Sequence, residues 1–192
     1  KNATALGLRG AIHSDRGNHE QAVIDVRAAM NESPREVKFR RLAATIYSRN
    51  GNQDLAVESL AMTVVLSGYD PRFVKEYAAM LRSTDQHRAI EAILSQTVRH
   101  HPKDREMLAA LAAARLRLQD WAGAEQVALA LRSLDSGDSA DAIRAASFSG
   151  QQRYGESIEL LQRLAETDRE NTSIMAALTQ VYVKAGQTNQ AN

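Results

Sequence analysis

Apolar side chains in this sequence come in short stripes three or four residues apart, and each stripe is cut off by a turn. Leu6, Gly10 and His13 make a first stripe, Gly17 breaks it, Ala22, Val26 and Ala29 make a second, and Pro34 ends it. This spacing predicts two short amphipathic helices joined by a tight turn. The same sentence then recurs. Ala44 and Tyr47 precede the turn Asn50-Gly51-Asn52, followed by Ala56, Leu60 and the stop Asp70-Pro71, with a tail about three residues longer than the first.

The third copy, Arg72 to Pro102, carries Ala78 and Leu81, then Ala89, Ile90 and Leu94, around a turn, Ser83-Thr84-Asp85, that lacks glycine. It is the least regular unit and the expected hinge. The fourth holds Leu108, Leu111 and Ala112 before Asp120-Trp121, then Ala124, Ala128 and Leu131. The fifth reads Ile143, Ala145 and Phe148, then Tyr154-Gly155-Glu156-Ser157, Leu161 and Leu164, and a sixth begins with Met175, Leu178, Tyr182 and Gly186. Equivalent small residues, Ala22, Ala56, Ala89, Ala124, Ser157 and Ala191, are 34, 33, 35, 33 and 34 positions apart. A small residue is required where two helices cross closely, because a larger one would push them apart. The alternative is an irregular alanine-rich bundle, which has no reason to keep a period.

On Gly10, Gly17, Ala22, Ala29 and Pro34, and on the phrase Tyr154-Gly155-Glu156-Ser157, the chain resembles the tetratricopeptide-repeat family over essentially its whole length. The bulky residue that opens each unit is Leu6, Arg40, Val74, Leu108 or Asp141 and never tryptophan, so the resemblance is to degenerate repeats of a bacterial kind. It implies an all-α, right-handed superhelix, an α-solenoid of antiparallel helix pairs with about five and a half repeats. These span about residues 3–36, 37–70, 71–103, 104–137, 138–171 and a truncated 172–192, in a single solenoid. It also implies a concave face lined by the first helix of each pair. Both ends look cut and uncapped, so a longer array, or self-association through the ends, is expected.

Composition supports helix: Ala, Leu, Arg, Glu and Gln dominate, three prolines occur and aromatics are 5%. The formal charge of +1 removes a global electrostatic case for nucleic acid or anionic membrane, and no stretch reaches the roughly 20 apolar residues of a membrane span. The chain has no cysteine, which rules out thiol catalysis and cysteine-rich zinc or iron–sulfur sites. His100-His101 point about 100° apart on a helix and offer no shared metal face, and they suit a helix C-terminus. No phosphate loop and no G-x-S-x-G phrase occurs, so Ser147, Ser149 and Ser157 are not read as nucleophiles. No cofactor and no catalytic residue is expected.

The concave face that the family resemblance implies is biased toward positive charge. It would present Asp15 and Glu106 against Lys38, Arg41, Arg49, Arg72, Lys75, Arg82, Arg117 and Lys184. Those basic residues, with the cluster from Lys38 to Arg82 at the centre, point to an acidic protein or peptide partner. The lysine–asparagine clamp of chaperone-binding relatives is missing, since the matching positions hold Gly7, Ala11 and Leu42. The expected function is a non-catalytic interaction scaffold, by analogy within a bacterial envelope assembly serving polysaccharide export, pilus formation or secretion, and periplasmic or envelope-associated. Alternatives are a peptide-sensing regulatory domain, or the substrate-recruiting arm of an enzyme.

Overall fold

The structure, a computed structural model, describes residues 2–134 and 137–187. Among these residues there are eleven helices and no strand. In order they are α1 (Ala3–Asp15), α2 (His19–Glu32), α3 (Val37–Arg49), α4 (Gln53–Leu66), α5 (Pro71–Ser83), α6 (His87–His100), α7 (Arg105–Arg117), α8 (Trp121–Ser133), α9 (Gly137–Gly150), α10 (Tyr154–Thr167) and α11 (Thr172–Lys184). Several begin on side-chain caps that satisfy otherwise unpaired backbone N–H groups. Asn2 accepts from the Thr4 N–H at 2.9 Å, Asp104 from Met107 at 3.0 Å and Asp120 from Gly123 at 2.9 Å. Asp70 caps Arg72 at 2.9 Å, with Pro71 at the first helical position where its missing N–H does no harm.

Five turns between helices and the end of α11 share one geometry. Each places a residue in the left-handed region: Gly17 (φ 77°), Gly51 (74°), Asp85 (59°), Gln119 (60°), Gln152 (63°) and Gly186 (74°). The next residue's N–H then reaches back to the carbonyl five positions earlier, as in Asn52 to Tyr47, Gln86 to Leu81 and Asp120 to Arg115, each at 2.9 Å. This is the Schellman arrangement, which satisfies the last carbonyls of the first helix and turns the chain back. The third turn, for all its missing glycine, is therefore built like the others. The longer tail of the second repeat is also accounted for: Gly68 and Tyr69 are both left-handed and add a turn before the Asp70 cap.

The chain divides into two compact units, residues 1–86 and 87–192, and the boundary falls between α5 and α6, inside the third repeat. In the first unit α1 pairs with α2 and α3 with α4, while α2 meets α3, α4 meets α5 and the first helices α1 and α3 touch. Its core is Ala22, Val26, Ala29, Phe39, Ala43, Ile46, Tyr47 and Ala56. The reason for small residues is visible at Gly10, where a Cβ would stand 3.3 Å from both the Ala22 carbonyl oxygen and the Asp25 Cβ. Asp25 itself is buried, and Arg9 holds its carboxylate with two hydrogen bonds of 2.7 and 2.5 Å. The guanidinium keeps that carboxyl below its usual titration range against the opposing effect of burial, with His13 adding a smaller pull.

In the second unit each helix from α6 to α11 packs on its sequence neighbours, and α7 touches α9. Ala145, Phe148, Ile158, Leu160, Leu161, Leu164, Val181 and Tyr182 form one core cluster. Ala124 is fully buried, and Ser157 replaces alanine at the next crossing because its hydroxyl donates to the Ala145 carbonyl at 2.8 Å. Ala89 is only half-buried, and Ala191 lies outside the described residues. Two sequence-based readings need adjusting. Met175 is largely exposed, and Val181 takes its place beside Leu178 and Tyr182 on the inward stripe. At the bulky opening position of the fifth repeat, Asp141 instead pairs with Arg132 at 3.7 Å and Arg144 at 3.4 Å. The architecture is an all-α solenoid of antiparallel helix pairs, in which the helices within each unit are stabilised by their immediate neighbours.

Candidate functional site

The basic residues singled out in the sequence lie on first helices of the pairs: Lys38, Arg41 and Arg49 on α3, Arg72, Lys75 and Arg82 on α5, and Arg117 on α7. Those on α3 and α5 belong to the first unit, and the structure gathers part of them. Lys38 and Arg41 line a shallow recess of about 520 Å³ with Arg35, Glu36, Val37 and Phe73. Arg41 and Arg49 line a second, of about 340 Å³, whose other walls include Glu76, Leu60 and Met80. Phe73 sits beneath two guanidinium groups, Arg41 at 5.9 Å and Arg72 at 5.7 Å from the ring centre. Lys38 lies 4.9 Å from the Phe39 ring centre. Lys75, Arg82 and Arg117 are exposed, and Arg117 is on the second unit.

Carboxylates accompany several of these cations, Asp15 as the sequence placed it and Glu76 and Glu36 as it did not. Glu76 takes a bidentate pair from Arg41 at 3.0 and 2.8 Å, joining α3 to α5. Asp15 on α1 accepts from Arg49 at 2.6 Å. Arg72 bonds back to its own cap Asp70, which raises its guanidinium pKa further, and Lys38 lies 3.6 Å from Glu36. The signal was available, because Asp15–Arg49 and Arg41–Glu76 are 34 and 35 positions apart, one repeat period. Surface pairs of this kind contribute at most about 1 kcal/mol, so a partner carboxylate can exchange with them. Gly7, read as a groove position, is buried, and a Cβ there would come within 2.6 Å of the Phe39 ring.

The serines considered for chemistry are mostly tied into packing. Ser147 lies 3.2 Å from the Trp121 carbonyl and 3.0 Å from Glu125, which also accepts from Gln151 at 2.9 Å. Arg115 joins α7 to its neighbours, donating to Glu91 at 3.1 Å and to the Gly123 carbonyl at 3.0 Å. Among the described residues no group of three or more His, Asp or Glu could hold a metal ion, and no helix is long and apolar enough to cross a membrane.

A further recess, which sequence reasoning did not identify, lies wholly in the second unit. It has a volume of about 320 Å³ and is lined by Trp121, by one face of α9 and by α11 as far as Lys184.

Helix hairpins repeated on one period, closed by one turn geometry and crossing at small residues, define a tetratricopeptide-type α-solenoid. The chain belongs to the tetratricopeptide-repeat family: residues 13–139 match the family described as "Psidin, N-terminal TPR repeats region". Solved structures share the fold at low sequence identity. A tetratricopeptide repeat protein from Parabacteroides merdae superposes with a TM-score of 0.70 at 17% identity, over 98% of this chain and 75% of its own. YrrB, described as a TPR protein with an unusual peptide-binding site, gives 0.64 at 12%, over 92% and 91%. MamA from Desulfovibrio magneticus gives 0.61 at 16%, over 81% and 88%. No curated protein matches the sequence.

Proposed function

We propose that the chain is a non-catalytic protein-interaction module that holds an acidic segment of a partner protein or peptide on the first helices of residues 1–86. Lys38, Arg41, Arg49, Arg72, Lys75 and Arg82 are the contact residues, and Arg117 offers a cation on α7. One observation carries this reading. The recess beside Phe73 is lined by three cations, Arg35, Lys38 and Arg41, against Glu36 in its wall and the Glu76 that pairs with Arg41. In a chain of formal charge +1 that is a local excess, and planar guanidinium groups flanking an aromatic ring suit carboxylates next to an apolar side chain. Membership of the tetratricopeptide-repeat family supports a protein or peptide ligand, as does the peptide-binding site for which YrrB is described. By analogy with degenerate alanine- and arginine-rich repeats of bacterial envelope proteins, an envelope assembly is the proposed setting.

The test is capture of partners by the whole chain, repeated with Arg41→Glu and Lys75→Glu together. Affinity for the captured partner should fall about tenfold or more, and the remaining binding should lose most of its salt dependence. Unchanged affinity with an unchanged salt slope overturns the acidic-partner reading.

A further inference from the structure

The turn that leads from α6 into α7 carries a charge that its backbone does not require. Three turns of this kind are built alike. The His101 N–H donates to the Thr97 carbonyl at 2.8 Å, and the Asp104 N–H donates to the His101 carbonyl at 3.1 Å. Ser33 with Glu36, and Asp168 with Asn171, repeat both bonds at 3.0 to 3.3 Å. The side chains at matching places differ. Positions 99–105 hold Arg99, Lys103 and Arg105, with His100 and His101, against Asp104. Positions 31–37 hold Arg35 against Glu32 and Glu36, and 166–172 hold Arg169 against Glu166, Asp168 and Glu170. Nor does the helix end demand cations. Although α6 finishes on Arg99 and His100, which suits the negative end of the helix dipole, α2 and α10 have no basic residue in the last turn.

The charge is open to solvent and little neutralised. Arg99, His100, Lys103 and Arg105 are exposed, as is Pro102 among them. The one carboxylate, Asp104, is engaged as the α7 cap and accepts from the Met107 N–H at 3.0 Å. Arg99 and Lys103 have no ion-pair partner among the described residues. Arg105 donates to the Leu134 carbonyl, a neutral acceptor that ties the turn to the end of α8. None of these residues lines a recess described above, so the cations stand on a protruding turn and not in a cleft. We propose that this turn docks the chain on an anionic lipid surface, with phosphate headgroups against Arg99, Lys103 and Arg105. Mobile phosphates spread over a plane need exposed, flexible cations, whereas a discrete small ligand needs a walled site. A nucleic acid fits less well, because the turn has no aromatic side chain on which a base could stack and the formal charge of +1 gives no extended field. The surface is separate from the proposed acidic-partner site, whose residues are Lys38, Arg41, Arg49, Arg72, Lys75 and Arg82.

The experiment is co-sedimentation of the whole chain with phosphatidylcholine vesicles, made with and without about one third phosphatidylglycerol. The chain should pellet with the anionic vesicles at about 0.1 M salt, stay in solution with the neutral ones, and leave the anionic ones at about 0.5 M. Each cation close to such a surface contributes about fivefold, so Arg99→Gln with Lys103→Gln should lower partitioning about twenty-five-fold. Both side chains are exposed, and circular dichroism of that variant should match the parent. Arg88→Gln with Arg163→Gln removes the same charge from exposed positions elsewhere in the second unit and should partition within about twofold of the parent, since charges beyond a Debye length are screened. The proposal is overturned by no pelleting with anionic vesicles, by equal pelleting with neutral ones, by parent-like partitioning of the Arg99→Gln, Lys103→Gln protein, or by an equal loss in the charge-matched variant. Binding of single-stranded poly-uridine RNA without vesicle binding, lost in the Arg99→Gln, Lys103→Gln protein, would assign the turn to nucleic acid and overturn it as well.

Discussion

Changing glycine to alanine at two places where a new methyl meets nothing should move stability in opposite directions, because only the backbone differs. Gly51 closes the α3–α4 turn at φ 74°, and a Cβ there has no atom within 4 Å. Gly155, the second residue of α10, has equally open space and no left-handed backbone. At Gly51 the left-handed conformation costs an L residue about 1–2 kcal/mol. The stiffer unfolded chain returns about 0.5–1 kcal/mol, so Gly51→Ala should destabilise the hairpin by about 1 kcal/mol. Gly155→Ala should stabilise by up to about 1 kcal/mol, since alanine has the higher helix propensity.

The converse change, Gln119→Gly, removes a side chain already forced to φ 60° and should stabilise the α7–α8 hairpin by up to about 1 kcal/mol. Neighbour-coupled repeats do not unfold as one unit, so the measurement is native-state hydrogen exchange, with opening free energies read from the amides of α3–α4, α7–α8 and α9–α10 separately. Equal shifts of the same sign for Gly51→Ala and Gly155→Ala would refute the reasoning, as would destabilisation by Gln119→Gly.

Two further outcomes follow from the first unit. Ile46 is fully buried within the cluster of Val26, Phe39 and Tyr47, so Ile46→Ala should lower the opening free energy of the α3–α4 amides in native-state hydrogen exchange by about 3 kcal/mol, and a loss under about 1 kcal/mol would contradict the burial. Arg9 depresses the pKa of Asp25, so the stability this carboxylate contributes is present above its unfolded pKa of about 3.9 and is lost as pH falls through the lower folded value. Relative to Asp25→Asn, the parent should be progressively less favoured in that acid window, and a difference constant across it would remove the pair from the account.

Much of the fold was legible. The glycines at 17, 51 and 186 marked three turns, and the other three use Asp85, Gln119 and Gln152 in the same conformation. Those were harder to see, since backbone geometry rather than residue type is conserved from turn to turn. Of the counter-charges, Asp15 was legible beside the basic residues and Glu76 was not, although it lies one period from Arg41. The recess beside Trp121 gave no sign, because it depends on what Gly150 and the alanines of α9 leave unfilled.

By itself the sequence determined the helix pairs, their order and the small residues at their crossings. These follow from local periodicities of hydrogen bonding and burial that a linear chain records directly. Tertiary structure alone decided that Arg41 meets Glu76, that Met175 faces out while Asp141 is bridged by arginines, and that an apolar recess opens beside Lys184. Ion pairs and cavities depend on separations of a few ångströms between helices a whole repeat apart. The repeat period sets which residues share a register, and the rotation and spacing of the packed helices set which of them touch.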